Sequence, residues 1–445
     1  MSGQEGISPV AVPERAKRVG ETVERWSWVE PLVWTERMLM ALETGVRGGK
    51  WYSLIDKVYP EEHLALALAR VAANQGAAGV DHVTIGAFTS DQDANLKRLS
   101  EELRTGSYRP QAIRRHYIPK PGSREKRPLG IPTVRDRVVQ TALRTVLEPI
   151  FERDFAAHSY GFRPRRGCKD ALRRVDGLLK AGYSHVVDSD LKSYFDTIPH
   201  DRLLALVGQK VSDGRILALL AAFLKQGVLE GIQEWTPEEG TPQGAVVSPL
   251  LSNIYLDPLD HRMAEQGFEM VRYADDFVVL CRSPEEAAAA LEVVQQWTAA
   301  AGLTLHPTKT RLVDALSEGF DFLGYHFQAG KRWPRQKSLQ KFKDTIRAKT
   351  KRTSGKSLSQ TIAELNPILR GWFEYFKHSH RWIFRALDGW IRRRLRSLLR
   401  KRLKRKGISR THGDDHRRWP TAFFTKHGLY SLQQARAQAH QSPRG

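Results

Sequence analysis

Two adjacent carboxylates, Asp275 and Asp276, stand between apolar, β-branched and aromatic residues. Such flanks predict two short strands, and the acidic pair predicts the tip of the hairpin that joins them. No glycine relaxes this tip, and two like charges this close repel and desolvate each other unless a cation lies between them. A solvated loop also fits the pair, so the hairpin indicates a metal site only if a further carboxylate joins it.

A third carboxylate, Asp190, ends a predicted strand over residues 185–191. If that strand neighbours the hairpin, three carboxylates converge at one sheet edge, and Mg²⁺ prefers such oxygen ligands. Two ions about 4 Å apart can activate an attacking oxygen and neutralise a leaving one. Phosphoryl transfer needs mainly this positioning and charge. The sequence contains no Gly-x-x-x-x-Gly-Lys-Ser/Thr loop, which disfavours an NTPase.

The charge of the chain indicates a polyanionic partner. The 445 residues include 71 Lys and Arg against 49 Asp and Glu, a net charge of +22, which favours nucleic acid over a membrane surface. No apolar run approaches the roughly 20 residues that span a bilayer. The two cysteines, Cys168 and Cys281, supply neither a disulfide framework nor a Cys-based zinc site. A cytoplasmic protein associated with the nucleoid or with RNA is therefore expected.

Predicted elements place these residues in two kinds of structure. Helices and strands alternate irregularly between residues 110 and 330, which predicts an α+β sheet domain. A predicted hairpin over residues 114–137 alternates basic residues with Gly and Pro, and it fits a solvated loop or a phosphate-facing finger equally. Residues 304–313 predict a strand with Lys309 inside it. A helix over residues 381–406 has a narrow apolar stripe among Arg and Lys, which predicts contact with a phosphate backbone.

Residues 188–196 and 271–277 together resemble the paired active-site motifs of reverse transcriptases. The Tyr-Ala-Asp-Asp tetrad at 273–276 has the form typical of group II intron-encoded proteins. The resemblance extends from about residue 26 to residue 432. Further stretches that carry it are residues 76–81, 127–132, 159–164, 241–244, 305–310 and 366–373. The last of these resembles the maturase (thumb) domain that separates intron proteins from other bacterial reverse transcriptases.

The resemblance implies an α+β right-hand polymerase fold, with fingers and a palm built on antiparallel sheet, followed by an α-helical thumb/maturase domain. The expected parts are a disordered lead, an N-terminal extension with the first fingers helices, the fingers and palm, the maturase domain and a basic DNA-binding-like tail. Their expected ranges are residues 1–25, 26–105, 106–330, 331–406 and 407–445. The Cys- and His-bearing endonuclease module of some relatives has no counterpart after residue 406, which implies priming from existing DNA ends.

The resemblance also assigns roles to individual residues. Asp190, Asp275 and Asp276 would be catalytic and hold two Mg²⁺ ions, with the Leu191 carbonyl as a further ligand. The aromatic ring of Phe195 would exclude a 2′-hydroxyl and so favour deoxynucleotides.

Contacts with the dNTP and with nucleic acid follow from the same resemblance. Residues expected around the incoming nucleotide are Lys120, Arg127, Phe195, Gln243, Gly244 and Lys309. Residues expected on the primer or template are Arg163, Phe322, Leu323, Gly324 and Tyr325. Residues expected on intron RNA are Arg370, Arg392, Arg393 and Arg396. Lys309 is either a general acid near the phosphates or a solvated lysine without such a role.

The favoured hypothesis is an RNA-directed DNA polymerase that copies its intron RNA during retrohoming and binds that RNA as a maturase to assist splicing. Its partners would be intron RNA, an RNA template and a DNA primer or target DNA, and no membrane is expected among them. The protein would be a monomer or a homodimer. One alternative is a splicing cofactor whose polymerase is idle. Another is a reverse transcriptase of a different bacterial lineage, serving defence, diversification or repair.

Overall fold

A computed structural model describes residues 24–119, 126–231, 233–403 and 412–441. The disordered lead expected over residues 1–25 falls almost wholly outside these ranges, as does Lys120. The α+β class expected from the sequence is confirmed, with mixed helices and sheets followed by a helical domain. No helix in the described ranges is long and apolar enough to cross a membrane.

The first part of the described chain is helical and leads into a small sheet. Its helices are α1 (Glu36–Thr44), α2 (Ile55–Val58), α3 (Glu61–Ala73), α4 (Ile85–Ser90) and α5 (Gln92–Thr105). The outer sheet that follows has the strand order β2-β1-β4-β5. Its strands are β1 (Ile113–Pro119), β2 (Lys126–Ile131), β4 (Val228–Glu230) and β5 (Gln233–Trp235). The predicted basic hairpin is therefore present as the antiparallel pair of β1 and β2.

A second, central sheet has the strand order β6-β7-β3-β8, with every pair antiparallel. Its strands are β3 (His185–Asp190), β6 (Glu269–Tyr273), β7 (Asp276–Cys281) and β8 (Arg311–Asp314). The helices of this part are α6 (Val134–Glu152), α7 (Cys168–Lys180), α8 (His200–Gly208), α9 (Gly214–Leu224), α10 (Ser248–Glu265) and α11 (Pro284–Ala300).

The central sheet is buried on both faces, because successive side chains of a strand point to opposite sides. Val186 and Val278 belong to a core shared with α7, whereas Val187 and Val279 belong to the main core shared with α10 and α11. Helix starts are fixed locally, since Ser283 accepts a hydrogen bond from the Glu286 N–H at the start of α11. The same side-chain capping occurs at the starts of α6 and α9.

The predicted strand over residues 304–313 is wrong in its first half. Lys309 lies in a turn, and β8 begins only at Arg311. Leu305 instead makes an isolated bridge with Leu191. The chain therefore crosses the end of β3 before it joins the sheet.

A third, aromatic sheet and a helical domain complete the described chain. The aromatic sheet has the order β11-β10-β9, with β9 (Phe320–Phe322), β10 (Tyr325–Gln328) and β11 (Lys331–Pro334). The helices of the helical domain are α12 (Gln336–Lys349), α13 (Leu358–Phe376), α14 (Trp382–Arg402), α15 (His412–Arg418), α16 (Thr421–Lys426) and α17 (Leu432–Gln441). Because β11 pairs with β10, the sheet continues past the boundary expected at residue 331.

The tail expected as a separate unit after residue 407 shares the core of the helical domain. Trp419, Phe424 and Leu432 pack in one apolar cluster with residues of α13 and α14. The Asp388 carboxylate of α14 accepts hydrogen bonds from the Leu432 and Gln433 N–H groups. The packing therefore makes residues 412–441 part of this domain.

Candidate active site

The acidic turn, defined here as the loop Ala274–Asp275 together with Asp276, joins β6 to β7 at the edge of the central sheet. In the ladder between β3 and β7, Asp190 lies directly opposite Asp276. The expected neighbourhood of the strand and the hairpin is thus confirmed, and three carboxylates lie at one sheet edge, Asp190 and Asp276 on adjacent strands and Asp275 in the turn. The hairpin reverses its direction at Ala274, which has a φ of 60° although it is not a glycine.

The electrostatics of this edge disfavour three ionised carboxylates without a cation. Burial, followed by the charges of Asp275, Asp188 and Asp190, raises the pKa of Asp276 to about 7. Burial and the charge of Asp190 also raise the pKa of Asp275, whereas Arg127 and Arg272 oppose that rise. Desolvated like charges of this kind are the setting in which a divalent cation binds.

The donor set at this edge suits magnesium chemically. The carboxylates of Asp190, Asp275 and Asp276 and the Leu191 carbonyl are hard oxygen donors of the kind that Mg²⁺ takes. Among the described residues, no three His, Cys, Asp or Glu side chains already surround a common point. The Asp190 carboxylate forms an ion pair with Lys309. Asp188, two residues earlier, is paired with Arg311 at 3.2 Å.

A buried charged network lies directly beneath the acidic turn. Arg272 is fully buried, and its Nε donates to both carboxylate oxygens of Asp260 on α10, at 2.8 and 3.0 Å. Its Nη1 donates to Asn253 Oδ1 and to the Ala274 carbonyl, both at 2.9 Å. Sequence reasoning missed this network, although an arginine within an apolar strand was a visible signal.

The loop around Gly161 packs against the same turn. A Cβ added at Gly161 would lie 2.2 Å from the Ala274 nitrogen, and the Gly161 carbonyl accepts a hydrogen bond from Asn253 Nδ2 at 2.8 Å. Arg163, expected on primer or template, is buried in an ion pair with Glu152. Its Nη1 donates to the carbonyls of Ala156 and Ser159. That expectation is corrected here, because the guanidinium is fully engaged inside the protein.

A cavity of about 190 Å³ lies between the outer sheet and the chain at residues 195–196 and 237–243. Phe195 and Gln243, both expected near the nucleotide, line it together with Arg115, Gly130 and Trp235. Sequence reasoning did not select Arg115 or Trp235, whose side chains form a cation–π contact at 4.7 Å.

Gln243 forms hydrogen bonds with two other residues that line this cavity, Asp196 and Gly130. Gln243 Nε2 donates to the Asp196 carboxylate at 3.2 Å, and the Gly130 N–H donates to the Gln243 carbonyl at 2.6 Å. Gly244 was also expected near the nucleotide, but it does not line the cavity. Its φ is 109°, and a Cβ at this position would lie 2.5 Å from the Gly130 carbonyl oxygen. Arg127 is exposed on β2, where its charge acts on Asp275.

The aromatic turn, defined here as Leu323–Gly324, joins β9 to β10. Phe322 and Tyr325, expected on the primer, are 0% and 1% exposed, so their side chains cannot contact a nucleic acid. Only the half-buried turn residues remain accessible for such a contact. Tyr375 of α13 donates its hydroxyl to the Leu323 carbonyl at 2.7 Å.

The basic residues expected on RNA divide into two groups. Arg370 and Arg393 are exposed and Arg392 is half-buried, so all three can reach a polyanion. Arg396 is 3% exposed, donates through Nε to the Trp419 carbonyl at 3.0 Å and lies over the Phe424 ring. The expectation for Arg396 is therefore corrected: it joins α14 to the segment that follows residue 412.

Two family models match this chain. The model described as "Reverse transcriptase (RNA-dependent DNA polymerase)" matches residues 118–327. The model described as "Group II intron, maturase-specific domain" matches residues 339–419. The first range contains the acidic turn and most of the residues that line the cavity, and the second contains most of the helical domain.

Individual proteins are also similar. Group II intron-encoded protein LtrA of Lactococcus lactis subsp. cremoris is 40% identical over 197 residues, 44% of this chain and 32% of LtrA. Protein YkfC of Escherichia coli (strain K12) is 34% identical over 313 residues, 61% of this chain and 82% of YkfC. The matched stretch therefore spans about a third of LtrA but most of YkfC. With both family models in one chain, this protein belongs to the group II intron-encoded reverse transcriptase/maturase family.

Proposed function

We propose that this protein is an RNA-directed DNA polymerase encoded by a group II intron, which copies intron RNA into DNA during retrohoming and binds that RNA as a maturase to assist splicing. The observation that carries the proposal is the register that sets Asp190 opposite Asp276, beside Asp275, at one sheet edge. Family membership supports the choice of an intron RNA as template and partner.

In this proposal Asp190, Asp275, Asp276 and the Leu191 carbonyl hold two Mg²⁺ ions. When bound, these ions activate the primer 3′-oxygen and neutralise the leaving pyrophosphate. Phe195 and Gln243 orient the dNTP from the cavity that they line. Arg127 faces the same edge and offers a guanidinium fork to phosphate oxygens. Lys309 stands beside Asp190, where it can reach a phosphate or give up a proton.

Primer extension on an RNA template with Mg²⁺ tests the polymerase half of the proposal. We expect the wild type to extend a DNA primer and the D275N/D276N double variant to lose extension while it keeps its fold. Glu148→Gln is the matched control, because burial also raises the pKa of Glu148 on α6, where the neighbouring charges are Arg144, Glu152 and Arg70. Normal synthesis by D275N/D276N would refute the catalytic assignment.

Intron binding is tested separately with the same double variant. We expect D275N/D276N to bind its intron RNA as tightly as the wild type and to support splicing at low Mg²⁺. The exposed arginines of the helical domain carry this binding, so R370A/R393A should weaken it and flatten its dependence on salt. Equal affinity of R370A/R393A and the wild type at every salt concentration would contradict the maturase surface proposed here.

A further inference from the structure

Arg272 is an unusual residue to find inside a sheet. It is 0% exposed, as is its partner Asp260, and it lies two residues before the loop residues of the acidic turn. A buried ion pair is weak evidence for stability, since well-packed apolar residues often stabilise a core equally well. The pair therefore calls for a role that apolar side chains could not fill.

The bonds of Arg272 aim its guanidinium at one backbone group. Asp260 engages Nε and Nη2, and Asn253 engages Nη1, so the planar fork is held from α10 in a single orientation. The remaining bond of Nη1 goes to the Ala274 carbonyl at 2.9 Å. Arginine suits this task because its donors have a fixed geometry, which lysine lacks.

The Ala274 carbonyl controls the acidic turn directly. It belongs to the peptide unit that also contains the Asp275 nitrogen, so holding this oxygen orients the backbone from which the Asp275 carboxylate extends. Ala274 has a φ of 60°, a conformation that is unfavourable for a residue with a Cβ and persists where surroundings enforce it. Asn253 also connects Arg272 to the loop that packs against the turn, because its Nδ2 donates a hydrogen bond to the Gly161 carbonyl.

We propose that Arg272, oriented by Asp260 and Asn253, is a positioning residue that fixes the Ala274–Asp275 peptide and thereby sets Asp275 and Asp276 for magnesium binding. The proposal rests on the polymerase function proposed above. Arg272 touches neither substrate nor metal in this scheme. Its charge also acts on Asp275, but Arg272→Lys keeps that charge, so the effect that separates the two side chains passes through the backbone of the turn.

The test compares Arg272→Lys and Asn253→Ala with the wild type in two assays. The first is single-nucleotide addition at saturating primer–template, titrated with Mg²⁺, and the second is binding of Mn²⁺ alone, followed by electron paramagnetic resonance. We expect Arg272→Lys to slow addition by roughly 10²-fold, the cost of misplacing a reacting group by about 1 Å, and to weaken Mn²⁺ binding. Primer–template affinity should stay unchanged, because nucleic-acid contacts do not involve Arg272.

Arg396→Lys is the matched control, since Arg396 is also buried and also donates to a backbone carbonyl, but in the helical domain. It should lower the melting temperature without changing the Mn²⁺ affinity or the addition rate of the folded enzyme. If Arg272→Lys behaves in the same way, Arg272 is only structural and the proposal is overturned. If Arg272→Lys does not fold, Asn253→Ala decides by the same criteria.

The two proposals can fail separately. A wild type that binds Mn²⁺ but adds no nucleotide on RNA would refute the polymerase function, and the Mn²⁺ affinities of the variants would still test the role of Arg272. A wild type that extends normally, with unchanged Mn²⁺ affinity and addition rate in folded Arg272→Lys or Asn253→Ala, would refute the positioning role alone.

Discussion

The acidic turn and the aromatic turn are both two-residue hairpin loops that use positive φ angles, yet they are held in different ways. Ala274 has a φ of 60°, and Leu323 and Gly324 have φ angles of 46° and 83°. The acidic turn is held from within its own domain, by Arg272 and by the close approach of Gly161.

The aromatic turn is held from the helical domain. Tyr375 donates to the Leu323 carbonyl, and Tyr325 donates to the Tyr375 carbonyl at 2.6 Å. The Arg335 N–H at the start of α12 donates to the Gly324 carbonyl at 2.9 Å. The hydrogen bond and the close backbone contact that hold the acidic turn therefore come from its own domain, whereas the hydrogen bonds that hold the aromatic turn come from the helical domain. In the proposed polymerase, chemistry would depend on the first turn and the grip on the primer on the second.

The substitution Gly161→Ala should break the acidic turn most severely. The new Cβ would lie 2.2 Å from the Ala274 nitrogen, so the backbone of the turn must move. We expect nucleotide addition to fall by at least roughly 10²-fold, measured at saturating primer–template. Gly177→Ala in α7 is the control, because nothing lies within 4 Å of its Cβ. A Gly161→Ala enzyme with wild-type rate would show that the turn tolerates displacement.

The acidic turn should also make the stability of the protein depend on pH. The pKa of Asp276 is raised from its ordinary 3.8 to about 7, so the folded state binds the proton more tightly than the unfolded state. Stability without divalent ions should therefore be highest below about pH 4 for this group and decline as the pH rises to about 7. At 1.36 kcal/mol per pKa unit the upper bound of this loss is about 4 kcal/mol.

Thermal melts of the wild type and Asp276→Asn between pH 4 and pH 8, without divalent ions, measure this loss. We expect the variant to be the more stable protein at pH 8 and the difference to disappear near pH 4. Added Mg²⁺ should stabilise the wild type at pH 8 more than the variant. A difference that is constant across the pH range would show that Asp276 titrates normally.

The substitution Tyr375→Phe should act mainly on the aromatic turn. It removes the hydroxyl that donates to the Leu323 carbonyl, a loss of about 1 kcal/mol for one hydrogen bond. We expect primer affinity to weaken by about fivefold, with the addition rate at saturation and its Mg²⁺ dependence unchanged. Tyr52→Phe, at a 73% exposed position, serves as the control. A changed Mg²⁺ dependence would mean that the two turns are coupled.

The smallest effect on stability is expected for Lys309→Met. The ion pair of Lys309 with Asp190 has side chains that are 60% and 35% exposed, and exposed pairs contribute less than about 1 kcal/mol. The free energy of unfolding, measured by chemical denaturation, should therefore be nearly the same for the variant and the wild type. Lys180→Met, which removes the exposed ion pair with Asp176, is the control and should behave in the same way. A large loss of addition rate in Lys309→Met alone would assign Lys309 to the chemistry, and an unchanged rate would make it a solvated lysine.

The sequence by itself determined the features that depend on near neighbours along the chain. Apolar, β-branched and aromatic residues on either side of the acidic pair predicted the β6–β7 hairpin, and residues 185–191 predicted the strand observed as β3. The acidic pair and Asp190 could be selected as partners because charged residues at strand ends, among apolar neighbours, have few structural uses.

Only the tertiary structure decided which polar and aromatic side chains face outward. Arg163 and Arg396 have the residue type of a nucleic-acid contact, but both are buried against backbone carbonyls, those of Ala156 and Trp419. Phe322 and Tyr325 are buried because the aromatic sheet packs against α13. Residue type sets what a side chain can bind, whereas the elements packed around it decide what it reaches. For the same reason the bond from Arg272 to the acidic turn could be found only in the folded chain.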